Sequence, residues 1–158
     1  MKIKDQVRQI SKKLAARGEM LGLAESCTGG QISALLTSLP GASKVFQGAV
    51  ISYTNKVKHD VLGVSEKLLK SHGPVSREVV LQMARGALKV LDCDWVVSVT
   101  GVAGPAGGTK KTPVGLVFYA VVGPRVAVVV KKVFSGTRKD IQKKATERSV
   151  QLLLRKLK

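Results

Sequence analysis

The first residues of this sequence that could perform covalent chemistry lie at positions 24–30, which read Ala-Glu-Ser-Cys-Thr-Gly-Gly. Ser26 supplies a hydroxyl nucleophile after an apolar run that predicts a buried strand, and α/β folds place ligands beyond the ends of such strands. Thr28, Gly29 and Gly30 open the next predicted helix, whose free N–H groups can hold an oxyanion, a carboxylate or a phosphate. The turn therefore predicts a nucleophile beside an anion-binding helix start, although the same string also suits a serine or threonine that only caps a helix.

A serine nucleophile needs a base, and Lys58 is the best-placed candidate. If Asn55 caps the following helix, Lys58 falls in its first turn, where the positive end of the helix dipole lowers the pKa of an ammonium group. Tyr53 ends the preceding predicted strand and can join the same network, which predicts a Ser-Lys arrangement of the kind that replaces Ser-His-Asp. The two histidines, His59 and His72, suit the surface better than a catalytic role. An ordinary solvated lysine is the competing interpretation of the Lys58 position.

Cys27, next to the serine, is an alternative nucleophile, because a helix start lowers the pKa of a thiol. Cys27 and Cys93 are the only cysteines. They are too few for a disulfide framework or a zinc site, so we expect both to be free thiols. Carboxylates are scarce and scattered, and Glu25 is the only one beside the proposed centre. We therefore predict neither a bound metal nor a cofactor.

A second glycine-rich segment follows the most apolar predicted strand and occupies residues 100–108. Its glycines expose backbone N–H groups that can bind an anion, and Thr100, Gly101 and Gly104 are the candidate contacts. The segment lacks the lysine and spacing of a P-loop and the order of a dinucleotide-binding fingerprint. A binding loop and a plain connection both fit this pattern.

The remaining pattern predicts the elements that position these residues. Apolar residues at helical spacing mark helices, and β-branched runs mark strands. The predicted helices cover 5–17, 28–36, 55–63, 76–91 and 138–157, and the predicted strands cover 20–24, 45–53, 95–99, 114–122 and 126–133. The last two strands are expected to form an antiparallel hairpin. Residues 1–158 are therefore predicted to form one α/β domain, a mixed β-sheet flanked by helices on both faces.

The charge of the chain is extreme, since 27 basic and 10 acidic residues give a net charge of +17. Such a charge favours anionic ligands, nucleic acid or acidic surfaces. A basic nucleic-acid-binding module is therefore the rival to an enzyme, although only 4% of the residues are aromatic and no nucleic-acid motif is recognisable.

No apolar run approaches the roughly 20 residues that cross a bilayer. Because no secretory signal is recognisable either, we expect a cytoplasmic protein without membrane contact.

Four segments together resemble the CinA C-terminal domain family: residues 24–30, 48–58 (Gly-Ala-Val-Ile-Ser-Tyr-Thr-Asn-Lys-Val-Lys), 101–108 and 113–115. The match runs from the first predicted helix to the last. This family includes the stand-alone nicotinamide-nucleotide amidases of bacteria, also called NMN deamidases. The resemblance implies a homo-oligomer that hydrolyses the carboxamide of nicotinamide mononucleotide (NMN) to nicotinate mononucleotide and ammonia, in pyridine nucleotide salvage.

The resemblance also implies a role for each candidate residue. Ser26 matches the nucleophile, Lys58 the base, and Tyr53 the tyrosine of the same network. Residues 134–138 resemble the family segment whose arginine lies near the substrate, which makes Arg138 a candidate partner for an anionic group. Thr100 and the glycine-rich segment would complete the pocket.

Two positions depart from the family pattern. Ala106 stands where many relatives have an aspartate, and Thr137 stands where many have an acidic residue.

Larger family members carry an N-terminal pyrophosphatase-like domain, and its absence from this sequence predicts deamidase activity alone. A Ser-Lys amidase for another carboxamide, and a competence-associated module with a vestigial pocket, stay open as alternatives.

Overall fold

A mixed five-stranded sheet lies at the centre of the protein, in the order β2-β1-β3-β4-β5. The structure is a computed structural model that describes residues 1–157; Lys158, which ends the predicted domain, lies outside the described residues. The strands are β1 (Leu21–Glu25), β2 (Phe46–Ile51), β3 (Trp95–Gly101), β4 (Leu116–Gly123) and β5 (Val126–Val133). The helices are α1 (Ile3–Arg17), α2 (Gln31–Thr37), α3 (Asn55–Asp60), α4 (Glu66–His72), α5 (Arg77–Leu91) and α6 (Arg138–Lys156). The predicted α/β class is confirmed.

The parallel part of the sheet brings three chain segments to one edge. β1 pairs in parallel with β2 on one side and with β3 on the other, so that Glu25 stands between Ile51 and Val99. Parallel strands end at the same edge of a sheet, and open α/β sheets bind ligands there. The Ser26 turn, residues 52–58 and the end of β3 therefore meet at this edge. β4 and β5 extend the sheet as the predicted antiparallel hairpin.

Helices cover both faces of the sheet, as predicted. Successive side chains of a strand point to opposite faces, so neighbouring residues enter different apolar layers. Val97 of β3 packs in a cluster with buried residues of α1, α2 and α6. Its neighbour Val96 packs with Met83 and other residues of α5 in a second cluster. The site edge is thus held between two packed layers.

The sequence pattern does not predict α4, which the structure shows between two glycines, Gly63 and Gly73. This helix has seven residues, is capped by Ser65 and buries only Leu69. It is therefore too short to show the apolar repeat that marks the longer helices. α3 is also shorter than predicted and ends at Asp60.

The boundary of β3 differs from its prediction as well. Thr100 and Gly101, expected to begin a loop, are the last two residues of the strand, because they pair with Phe118 and Val117 of β4. A partner strand that lies far along the chain therefore decides where β3 ends.

Candidate active site

The Ser26 hydroxyl and the Lys58 amine are in direct contact at the sheet edge. Lys58 Nζ donates to Ser26 Oγ at 2.9 Å. The same Nζ donates to the carbonyl oxygens of Ser52 at 2.6 Å and Tyr53 at 3.3 Å. Only 1% of Lys58 and 6% of Ser26 is exposed. Three acceptors use all three N–H groups of an ammonium, so the position of the amine is fully defined.

The β1–β2 pairing and a short helix bring these two residues together. The Ser52 N–H donates to the Glu25 carbonyl oxygen at 2.7 Å, which continues the ladder past the last residue of each strand. Thr54 then takes an extended conformation, and its Oγ1 accepts the Val57 N–H at 3.3 Å. Thr54 therefore caps α3, and the prediction that Asn55 would do so is wrong. Asn55 is instead the first residue of the helix.

The pKa of Lys58 is lowered by burial and not by the helix dipole. Lys58 is the one buried residue of α3 and lies in its last turn, where the dipole favours a positive charge. Burial of the ammonium group nevertheless lowers the pKa of Lys58 to about 8, and the nearby Cys27 acts in the opposite direction. The sequence predicts a lowered pKa for Lys58, and this direction is correct. The cause, however, is the loss of hydration of the ammonium group. A neutral amine is therefore accessible near neutral pH.

Cys27 is buried beside Ser26, and burial raises the pKa of its thiol to about 12. Because the thiolate is the reactive form of cysteine, this thiol is a poor nucleophile. The Cys27 carbonyl oxygen accepts a hydrogen bond from Gln142 Nε2 of α6 at 2.9 Å. Nothing in the local sequence indicates Gln142, since it lies 115 positions from Cys27. Its role is to anchor the turn to α6.

Glu25 ends β1 and is fully buried, with 0% of its surface exposed. Its carboxylate accepts hydrogen bonds from Thr28 Oγ1 (2.6 Å), from the N–H groups of Gly30 (3.0 Å), Ile32 (3.2 Å) and Ser33 (2.9 Å), and from Ser33 Oγ (2.6 Å). A helix start leaves such N–H groups without helical partners. The sequence predicts that the N–H groups of this helix start would bind an anionic ligand. In the structure they bind the carboxylate of Glu25 instead.

Gly29 and Gly30 do not offer N–H groups to a ligand, in contrast to the expectation. The Gly29 N–H donates to the Ser26 carbonyl oxygen at 3.0 Å, and the Gly30 N–H is used by the buried carboxylate. Their positive φ angles, 57° and 99°, are what form the turn. In the described part of the chain, the N–H groups of Cys27 and Thr28 donate to no other residue. Neither N–H group is therefore used within this part of the protein, and Cys27 also lines the cleft described next.

A cleft of about 220 Å³ opens above the Ser26 hydroxyl. The turn after β1, the segment around the start of α3, the loop before α5 and the end of β3 form its walls. Thr100 and Gly101 line it from β3. Thr100 Oγ1 donates to the Pro74 carbonyl oxygen at 2.9 Å, which ties the loop before α5 to this edge. A side chain at Gly101 would collide with the Leu116 carbonyl oxygen, so glycine permits this packing.

Arg138 and Tyr53 line the cleft, and together with Gly104, to which Arg138 is hydrogen-bonded, they form what we call the Arg138 rim. Arg138 Nη2 donates to Tyr53 Oη at 2.8 Å, and Nη1 donates to the Gly104 carbonyl oxygen at 2.8 Å. Tyr53 is 55% exposed, and its phenol points to the arginine. The tyrosine was predicted to share the network of Ser26 and Lys58, but only its carbonyl oxygen contacts Lys58. Gly104 contributes through its carbonyl oxygen instead of an N–H group.

The two histidines lie away from the cleft. His59 Nδ1 lies 2.8 Å from the Val64 carbonyl oxygen, and His72 is exposed at the end of α4. Across residues 1–157, no cluster of three or more His, Cys, Asp or Glu side chains is arranged to hold a metal ion.

One of the two departures from the family pattern has a structural role. Thr137 caps α6 and forms a capping box with Asp140, in which Thr137 Oγ1 and N–H both contact the carboxylate. Ala106 is exposed in the loop after β3.

Throughout the described chain, no helix combines the length and apolar character that crossing a bilayer requires.

Sequence comparison identifies the family of the chain. A sequence model of the CinA C-terminal domain matches residues 3–157. A CinA-like protein from Endomicrobium trichonymphae is 49% identical over 137 residues, which cover 87% of this chain and 32% of that protein. A CinA-like protein from Prochlorococcus marinus subsp. pastoris is 48% identical over 132 residues, which cover 83% of this chain and 30% of that protein. The chain thus spans about a third of the length of these curated relatives.

Solved structures of the same superfamily share the fold. The crystal structure of a competence-damaged protein (CinA) superfamily protein from Klebsiella pneumoniae aligns with a TM-score of 0.94 at 29% identity, covering 99% of this chain and 98% of that one. The competence/damage inducible protein CihA from Agrobacterium tumefaciens aligns with a TM-score of 0.90 at 37% identity, covering 97% of this chain and 94% of that one. The chain therefore belongs to the CinA C-terminal domain family, as the resemblance of its motifs implied.

Proposed function

We propose that this chain is an amidase that hydrolyses the carboxamide of NMN to nicotinate mononucleotide and ammonia. The observation that carries the proposal is the buried contact of 2.9 Å between Lys58 Nζ and Ser26 Oγ. A serine beside an amine of lowered pKa is the arrangement of Ser-Lys hydrolases, in which the amine takes the place of histidine. Family membership supports an amidase role for the site, and the proposal extends to a cytoplasmic homo-oligomer.

Lys58 acts as the base in its neutral form. Two of its three neighbours are carbonyl oxygens, those of Ser52 and Tyr53, which can only accept hydrogen bonds. A neutral amine donates its two hydrogens to these oxygens, so its lone pair faces Ser26 Oγ. The amine then takes the Ser26 proton as the oxygen attacks the amide carbon. The two carbonyl groups therefore orient the base.

The oxyanion that forms on the amide oxygen needs donors in fixed positions. We assign this role to the N–H groups of Cys27 and Thr28, because neighbouring N–H groups of the turn already have partners inside the protein. The side-chain anchor from Gln142 to the Cys27 carbonyl oxygen keeps this peptide in place. Loss of one such donor costs about 3 kcal/mol of transition-state stabilisation in enzymes where it has been measured.

Hydrolysis then proceeds in two balanced steps. Collapse of the tetrahedral intermediate breaks the C–N bond, and protonated Lys58 returns its proton to the departing nitrogen, which leaves as ammonia. Ser26 now carries the nicotinoyl group as an ester. Neutral Lys58 next deprotonates a water molecule that attacks this ester. The bond between Ser26 Oγ and the acyl carbon then breaks, and protonated Lys58 returns its proton to Ser26 Oγ. The products are the carboxylic acid and the free serine, so the enzyme is regenerated without a metal ion in the scheme.

The shape and charge of the cleft suit a nucleotide with one inserted end. About 220 Å³ is smaller than the roughly 300–1,000 Å³ that encloses a drug-sized ligand, so the carboxamide ring fits inside and the rest lies outside. Arg138 lines the cleft and is exposed. Two of its five N–H groups serve Gly104 and Tyr53, which leaves donors for an anionic group. A nucleotide phosphate is the group we assign to it.

An ammonia-release assay with NMN, nicotinamide, NAD and glutamine tests this proposal. We expect release from NMN by the native chain and none above background by Ser26→Ala, with circular dichroism showing that the variant is folded. Release from another carboxamide in preference to NMN would keep the chemistry and change the substrate. Native turnover in Ser26→Ala would reject the mechanism.

The charge of +17 favours one second candidate, a nucleic-acid-binding module. Basic residues are concentrated on α1 and α6, which pack against each other. Titration of DNA binding with salt separates the two functions, since phosphate contacts make affinity fall steeply with salt. Steep salt dependence in a chain that releases no ammonia would favour this second candidate.

A further inference from the structure

Glu25 carries an inference that goes beyond the Ser26–Lys58 pair and rests on the proposed function. We propose that Glu25 is a positioning residue, whose Oε2 holds the turn that carries Ser26 and the two free N–H groups. The Glu25 carboxylate acts through the turn and does not contact the substrate, since Glu25 does not line the cleft.

The two oxygens of the Glu25 carboxylate contact different parts of the chain. Oε2 accepts hydrogen bonds from Thr28 Oγ1 at 2.6 Å, from the Gly30 N–H at 3.0 Å and from the Ile32 N–H at 3.2 Å. Among residues 1–157, Oε1 accepts from Ser33 alone, through its N–H at 2.9 Å and its Oγ at 2.6 Å. Oε2 thus contacts both the turn and the start of α2, whereas Oε1 contacts α2 alone.

The position of Glu25 makes it a rigid support. Its backbone lies between β2 and β3, where it pairs with Ile51 and Val99. A fully buried carboxylate is costly unless hydrogen bonds compensate its lost hydration. Here the compensation comes from the turn and from the start of α2, so a shift of the turn would remove part of the hydrogen bonding that stabilises the charge. The sheet holds the backbone of Glu25, and the Glu25 side chain in turn positions the turn that carries Ser26.

This support matters for rate because oxyanion donors act only over a narrow range of distances, about 2.7–3.1 Å. The Thr28 N–H belongs to the residue whose hydroxyl is held by Oε2. A small displacement of Thr28 would move an oxyanion donor while leaving substrate binding at the Arg138 rim unchanged. We therefore expect loss of this contact to lower kcat and to spare KM.

Two hydroxyl groups provide a matched test. Thr28 Oγ1 and Ser33 Oγ each donate to one oxygen of Glu25 at 2.6 Å. Thr28→Val and Ser33→Ala each remove one of these hydrogen bonds from the same carboxylate. We expect both variants to lose similar thermal stability. If the carboxylate serves stability alone, both should also keep the same kcat.

The proposal predicts a different result for the two variants. Thr28→Val should lower kcat by about tenfold or more with KM within about twofold, and Thr28→Ser, which restores the hydroxyl, should recover most of it. Ser33→Ala should keep kcat within about twofold of the native value. Equal kcat in Thr28→Val and Ser33→Ala would overturn the proposal.

Hydrogen exchange separates failure of this proposal from failure of the proposed function. The Gly30 N–H is protected by Oε2, so Thr28→Val should speed exchange in residues 26–30, and Ser33→Ala should not. This readout does not depend on the substrate. Unchanged exchange in Thr28→Val would reject Glu25 as a support of the turn even if the native chain releases ammonia. Faster exchange in a chain without amidase activity would instead reject the function and keep the support.

Discussion

The Ser26 turn and the Arg138 rim border the same cleft but are constructed in opposite ways. Within the turn, Ser26, Cys27 and Thr28 are all buried, and hydrogen bonds with β3, α6 and Glu25 hold the turn in place. At the rim, Arg138 is exposed and Tyr53 is 55% exposed. Groups that stabilise a transition state need fixed positions, whereas a group that binds a charged substrate can remain hydrated. We therefore expect changes in the turn to act on kcat and changes at the rim to act on KM.

The largest effect is expected from removal of the base. Lys58→Met keeps the length and burial of the side chain but has no amine, so kcat should fall by roughly a thousandfold or more. Lys56→Met is the matched control, because Lys56 lies on the same helix with 82% of its side chain exposed. Steady-state ammonia release from both variants checks this. Retention of more than about a tenth of native kcat in Lys58→Met would show that another group is the base.

The pH dependence of the native chain gives the next largest effect. Burial lowers the pKa of Lys58 to about 8, and in the mechanism we propose the neutral amine is the reactive form. The rate constant kcat/KM should therefore fall about tenfold per pH unit below the pKa of this base and level off above it. A profile measured with NMN between about pH 6 and 9 checks this. A flat profile over that range would contradict a lysine base with a lowered pKa.

Arg138→Ala tests the rim and should act mainly on KM. Loss of the guanidinium should raise KM for NMN by roughly tenfold or more, with a much smaller effect on nicotinamide, which carries no phosphate. Lys139→Ala is the control, because it removes the same charge from the next residue of α6, outside the cleft. An equal rise in KM for both substrates would mean that Arg138 shapes the cleft without binding the phosphate.

Tyr53→Phe should have the smallest effect. The substitution removes the phenol that accepts from Arg138 but keeps the Tyr53 carbonyl oxygen that contacts Lys58. We expect KM to rise by only about twofold to fivefold and kcat to stay near its native value. A fall in kcat comparable with that of Lys58→Met would place the phenol in the Ser-Lys network after all.

Much of the fold was predictable, because its signals are local. The apolar spacing of α1, α5 and α6 and the β-branched runs of the strands predicted the elements to within a few residues. α4 and the end of β3 were missed for physical reasons. A helix with a single buried side chain, Leu69, has no periodic pattern, and the pairing of Gly101 with Val117 depends on a strand that is distant in sequence.

The candidate site was predicted as a set of residues but not as a set of contacts. Ser26 and Lys58 were proposed together, and the structure places their reactive atoms 2.9 Å apart. The cap of α3 is Thr54 and not the predicted Asn55, and the pKa of Lys58 is lowered by burial and not by the predicted helix dipole. A signal for Glu25 existed in principle, since an acidic residue before a helix start often satisfies its N–H groups.

The sequence by itself determined which chemistry is available: a serine on a strand-to-helix turn, a lysine after the next strand, and glycines where the backbone turns sharply. Only the tertiary structure decided how these groups are used. Parallel pairing of β1 with β2 brings Lys58 to Ser26, and burial lowers the pKa of Lys58 to about 8. The Glu25 carboxylate accepts the Gly30 N–H at the helix start, which the sequence predicts to be open to a ligand. Residue types and turns are local properties of the chain, whereas burial and hydrogen-bond partners depend on segments that meet only after folding.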